Sequence, residues 1–154
     1  MSQNVFIQNV LANPNKYSYK KISGQTHFLF PLDINEEDYE GLSALHVATN
    51  LDVVKYLLDN GGQDISKGLH AAAGAGELDT VQYLLENGAE IEARNKGGQT
   101  PLMCAAMNGQ LEVVTFLVEN NAQVQASDEE LRTAFDWARI EGHIPVMKYL
   151  FEGP

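Results

Sequence analysis

The side chains in this 154-residue sequence able to serve as nucleophile, proton carrier or metal ligand are His27, His46, His70, His143, the single thiol of Cys104 and 21 carboxylates. A nucleophile needs a base within hydrogen-bond reach, and a metal centre needs ligands gathered at short, regular spacings. No pair among these histidines and the thiol has such a spacing. Cys104 stands beside Ala105 in an apolar run and reads as a small core residue, not as a reactive thiol. The acidic runs Glu36-Glu37-Asp38 and Asp128-Glu129-Glu130 read as solvated loop tips, without the pocket that general acid-base chemistry requires. Gly74-Ala75-Gly76 lacks the Gly-Lys-Ser/Thr of a phosphate loop and falls between two helical segments, so it is discounted as a nucleotide site. No catalytic, cofactor-binding or metal site is expected, and the chain is not read as an enzyme.

The elements that would position a site of any other kind follow from composition. With 44% hydrophobic and 20% charged residues, the chain has apolar material for one packed domain. Ten bases against 21 acids give a net charge of -11, which disfavours nucleic acid and anionic membranes as partners. No apolar run reaches the length of a membrane span, and MSQNVFIQNVLANPNKY lacks the basic start of a secretory signal. Together with the lone cysteine, this predicts an intracellular protein, cytoplasmic with the nucleus as an alternative. Charge divides the chain near Leu32. Residues 1–32 carry Lys16, Lys20 and Lys21 and no acid, whereas 33–154 carry 7 bases and all 21 acids. Within 1–32, Val5 to Leu11 predict a short amphipathic helix ending at Asn13-Pro14, and Tyr17 to Phe30 a β-hairpin turning at Ser23-Gly24.

From Asp33 onward the sequence repeats itself. Thr100 and Thr133, Leu102 and Phe135, Ala105 and Ala138, Gly109 and Gly142, and Leu117 and Leu150 recur at a spacing of 33. The same register runs back through Leu69, Ala72, Gly76, Val81 and Leu84, and a shortened copy occupies Gly41 to Gly62. Each copy holds two short apolar-periodic segments joined at a glycine, neither long enough to be stable alone. Leu111, Val114, Leu117 and Val118 have the three-and-four spacing of a buried helical face. Gly109 suits a helix-ending left-handed turn, and Pro145 the start of a helix. The expected fold class is all-α, a solenoid of about four helix-turn-helix repeats at 33–65, 66–98, 99–131 and 132–154, with 1–32 as a capping or additional segment.

TPLMCA at Thr100 to Ala105 and SALHVA at Ser43 to Ala48 match the Thr-Pro-Leu-His-x-Ala signature, and with the 33-residue period the chain resembles the ankyrin repeat family over about four-fifths of its length. The resemblance implies that His46 and His70 tie neighbouring loops together. It also exposes departures. The first copy lacks about three residues before Leu51 and about six between Gly62 and Lys67, which predicts a stunted turn and finger. Gly68 replaces the preferred proline, Leu131 the turn glycine, and Asp136-Trp137 the usual His-aliphatic pair. Trp137 is expected to bury against the preceding repeat, and His143 to face solvent in a turn.

Such stacks recognise proteins through finger tips and the concave face of their first helices. What the resemblance implies for this chain is a partner-binding surface of Tyr39, Glu40 and Leu42 in the first copy, and Ser66, Gly74 and Ala75 in the second. The third contributes Lys96, Gln99, Met107 and Asn108, and the fourth Glu129, Glu130, Arg132, Ile140 and Glu141. The acidic tips favour a partner with a basic surface. The expected function is that of a monomeric, non-catalytic interaction module. The alternative is a recognition domain or subunit of a larger regulatory or host-directed protein whose activity lies elsewhere.

Overall fold

A computed structural model describes Asn35 and residues 43–153; Tyr39, Glu40, Leu42 and the helix and hairpin expected within 1–32 lie outside the described residues. Among the described residues, eight helices follow one another in four antiparallel pairs: α1 (Ala44–Val47) with α2 (Leu51–Asp59), α3 (Ile65–Ala75) with α4 (Leu78–Glu86), α5 (Pro101–Met107) with α6 (Leu111–Glu119), and α7 (Ala134–Glu141) with α8 (Ile144–Glu152). No strand occurs among the described residues. The first helix of each pair packs extensively on the first helix of the next, while α2, α4, α6 and α8 touch one another far less. That inequality bends the stack, with the first helices on the inner side of the curve.

Equivalent residues fill the space between pairs. Val54, Val81 and Val114 are fully buried, as are Leu57, Leu84 and Leu117 one turn later, and each contributes about 1.5–3 kcal/mol by taking its apolar surface out of water. Small residues at Ala72, Ala73, Ala105 and Ala106 are also buried and let the inner helices approach closely. Gly109 stands at φ +70°, and a Cβ there would come within 2.6 Å of the His143 ring. Only glycine satisfies both demands.

The shortened first copy has two consequences. α1 is four residues long, and with the usual turn glycine missing, Asn50 starts α2 instead, its Oδ1 accepting from the backbone N–H groups of Asp52 and Val53. After α2, no finger protrudes: the chain passes through Gln63 and Asp64 directly into α3, and Asp64 adopts φ +60°. Asn35 clamps this tight passage by donating to the Gly61 carbonyl and accepting from the Gln63 N–H. Ser66, expected on a finger, is therefore in the first turn of α3.

Candidate functional site

The two complete fingers, between α4 and α5 and between α6 and α7, are built on one plan with different atoms. In the first, Asn95 accepts from Gly97 and Gln99 N–H groups through Oδ1, and its amide donates to Gln99 Oε1 at 3.0 Å and faces Cys104 Sγ at 4.0 Å. Asp128 is its counterpart 33 residues on. Its Oδ1 accepts from Glu130 and Arg132 N–H, each at 2.9 Å, while Oδ2 accepts from Arg132 Nε at 3.1 Å and the Trp137 indole at 3.0 Å. The Arg132 guanidinium also lies 4.0 Å above the Trp137 ring and ion-pairs with Glu130.

These contacts correct the reading of Asp128 as a solvated acid, because the residue is only 4% exposed. Burial alone pushes its carboxyl upward, but the Arg132 N–H and guanidinium, the Glu130 N–H and the indole together hold it below the ordinary value. A carboxylate is buried there because four donors converge on two oxygens. Trp137 is half-buried against this cluster, and Asp136, which replaces the signature histidine, caps α7 by accepting from the Thr133 N–H and hydroxyl. Those two bonds lower its own carboxyl.

Further ties lock one repeat to the next. His70 Nε2 lies 3.0 Å from the carbonyls of Ala93 and Gln99, in the loop-tying role expected of it. His46 accepts from the Ser43 N–H within its own helix start. Arg94 donates to the carbonyls of Gly98 and Ser127, bridging adjacent fingers, and Glu92 accepts from the Gln123 N–H. His143 is half-buried and not a solvent-facing turn residue: its ring lies 3.0 Å from the Met107 carbonyl in the preceding repeat, as the Gln110 amide reaches back to Gly74. Burial pushes the Cys104 thiol up to about 11, so it is protonated at neutral pH. Among the described residues, no group of three or more His, Cys, Asp or Glu side chains is placed to hold a metal, and no helix is long and apolar enough to cross a membrane.

The inner curve carries the last turns of α3, α5 and α7. Gly74 and Ala75, then Met107 and Asn108, then Ile140 and Glu141 form a surface that rises from near-bare backbone to a 52% exposed isoleucine. Asn108, Glu141, Lys96 and Glu129 are exposed, as is Glu130 with its ion pair to Arg132. Three expected contact residues are committed internally. Arg132 serves Asp128, Gln99 accepts from the Asn95 amide, and Ser66 is half-buried in α3 with its hydroxyl at the Glu90 N–H. Leu131 is absent from the expected surface yet is 82% exposed at the second finger tip, at φ +62°. Its signal in the sequence is a leucine, in a polar turn, where glycine would be unstrained.

A curved row of antiparallel helix pairs, joined by fingers and stacked in one dimension, is a helical repeat protein. Its sequence matches the family described as ankyrin repeats (3 copies) over residues 69–154 and a single ankyrin repeat over residues 40–67. The chain belongs to the ankyrin repeat family, whose members are generally protein-protein interaction modules and typically non-catalytic. No curated protein matches it.

Proposed function

We propose that this chain is a non-catalytic module that binds an intracellular protein through its inner face and the tips of its two complete fingers. The observation that carries this reading is the exposure of Ile140 beside half-buried Met107, on helix ends whose packing the stack does not need. Asn108 and Glu141 flank them with polar groups, which suits the rim of such a surface. Glu129 and Glu141 leave this side acidic and favour a partner with a basic surface, whose association would slow as salt rises. The test is affinity capture from a cell extract with the wild type and a Met107→Glu, Ile140→Glu variant, folding being verified by circular dichroism. Selective loss of one partner supports the inner face as the binding site. Retention of every partner refutes it.

A further inference from the structure

The signature-histidine position is filled by His46, His70, Met103 and Asp136 in the four repeats. In three of them the side chain receives a hydrogen bond from the start of its own helix. His46 Nδ1 accepts from the Ser43 N–H at 2.7 Å, Met103 Sδ from the Thr100 N–H at 3.4 Å, and Asp136 Oδ2 from the Thr133 N–H at 3.0 Å. The second repeat differs because no finger precedes it. α5 begins at Pro101, the counterpart of Gly68, whereas α3 already begins at Ile65. Lys67, the counterpart of Thr100, is therefore inside α3, with its N–H given to the Asp64 carbonyl at 2.8 Å. With that donor spent, His70 Nδ1 faces the Ser66 carbonyl at 2.7 Å, while Nε2 faces the Ala93 and Gln99 carbonyls, each at 3.0 Å.

Three oxygens that can only accept thus meet two ring nitrogens. A neutral imidazole has one N–H and one bare lone pair, so it satisfies one side and sets lone pair against lone pair on the other; the imidazolium, with two N–H groups, satisfies both. The other described histidines make no such demand, since His46 Nδ1 is an acceptor and His143 Nε2 meets the single carbonyl of Met107. We propose that His70 is a proton-operated joint between α3 and the first complete finger, closed while the ring carries two N–H groups and loosened when it carries one. Among the described residues no carboxylate pairs with the ring. At the start of α3, Lys67 and Asp64 pair with each other at 2.8 Å, and on α1 His46 is engaged by Ser43. In the finger, Arg94 donates to the Gly98 and Ser127 carbonyls, Glu92 accepts from the Gln123 N–H, and Glu90 and Lys96 are exposed. The acids of α4, Glu86 and Asp79, and Glu77 before it are exposed, and α5 has no charged side chain. Carbonyl dipoles, with water at a half-buried ring, therefore hold the charge. The joint is complete on the acid side of the histidine range, centred at about 6.5, and opens as pH rises and the second proton leaves. This finger carries Lys96 and Gln99, so binding through its tip weakens as pH rises; that consequence rests on the proposed function, whereas the joint does not.

Long-range nitrogen–proton NMR correlation of the histidine rings in the full chain counts ring N–H groups, and amide hydrogen exchange on the same samples reports the finger. At about pH 6 His70 is expected to carry two N–H groups, and to lose one before about pH 9. As it does so, exchange protection of the Asn95 and Gly98 N–H groups is expected to fall about tenfold relative to that of Asp128 and Leu131, their counterparts in the second finger. His70→Gln, whose amide offers donors at one end only, is expected to keep that ratio constant over the same range, with unchanged far-ultraviolet circular dichroism. His143→Gln is the control and is expected to leave the fall intact. A ring with a single N–H at pH 6, one that keeps both at pH 9, or a ratio that stays flat while the wild-type ring loses its proton would each overturn the proposal. No partner enters these measurements, so such a result leaves the reading of the inner face standing, and failed capture of a partner leaves the joint standing.

Discussion

Replacing Asp128 by Asn changes one atom and tests the account of the second finger. Four N–H donors converge on the two carboxylate oxygens of Asp128: two backbone groups on Oδ1, and the Arg132 guanidinium and Trp137 indole on Oδ2. An amide has a single oxygen, so in either orientation its NH2 confronts two donors. One charge-assisted bond and one neutral bond are lost at a buried site, a cost of about 3 kcal/mol against a total stability of roughly 5–15 kcal/mol. In an Arg132→Gln background, which reproduces the Asn95–Gln99 pairing of the preceding finger, the same change is expected to cost only about 1 kcal/mol. The assay is urea unfolding followed by far-ultraviolet circular dichroism and by fluorescence of Trp137, the only tryptophan. Asp128→Asn should shift the fluorescence transition first, because a repeat stack loosens locally. A cost below 1 kcal/mol, or equal costs in both backgrounds, refutes the reasoning. The sign of the pH dependence follows from the same contacts. Asp128 and Asp136 are held below the ordinary carboxylate value near 3.8, so their contributions are complete above that pH and are lost as pH falls through the folded-state values. As pH falls below about 4, the wild type should therefore lose stability faster than the Asp128→Asn variant.

Leu131→Gly is expected to stabilise the protein by about 0.5 kcal/mol, relief of the left-handed backbone exceeding the entropy that glycine adds to the unfolded chain, and a thermal melt checks the direction. Gly109→Ala and Gly142→Ala form a matched pair, both at left-handed φ, but only the first brings a Cβ against the His143 ring. The first should cost about 2–3 kcal/mol and the second about 1 kcal/mol in urea unfolding, and equal losses would show that the ring contact is unimportant. Cys104 should react with a disulfide reagent at pH 8 no faster than the fourth-repeat and third-repeat helices open, so that mild denaturant accelerates labelling; immediate reaction of the native protein would contradict its burial.

The repeat is legible in the sequence because its buried positions are local and periodic. Val81, Val114, Leu84 and Leu117 announce their helices and their register, and the gap before Leu51 announces a shortened turn, whereas the four-residue length of α1 was not expected. What distinguishes one copy from another was not legible. A run of three acids in a turn looks solvated unless the donors that would bury one of them are known, and the indole that reaches Asp128 comes from nine residues away on the next helix. The exchange of Asn95 with Cys104 for Asp128 with Trp137, at the same two positions of adjacent copies, was the only hint. His143 likewise reads as a turn residue until the preceding repeat supplies the Met107 carbonyl. Of the expected binding residues, Met107, Asn108, Ile140 and Glu141 stand at the ends of α5 and α7, where the period of 33 puts them. Arg132, Gln99 and Ser66 also bond within the stack, which the sequence does not reveal because a polar side chain near a tip serves the loop as readily as a partner.

The passage from α2 to α3 has a practical meaning. Gln63 and Asp64 occupy the place of a missing tooth in a comb, at an exposed point where the backbone already takes a left-handed turn beside the Asn35 clamp. Closing a longer loop there costs little chain entropy, about 0.6 kcal/mol for each doubling of its length. A finger transplanted from residues 89–99 could be seated at that junction without altering any buried side chain of the stack. The chain therefore offers a graft point at which a new tip, of chosen composition, would widen the row of contacts by one position.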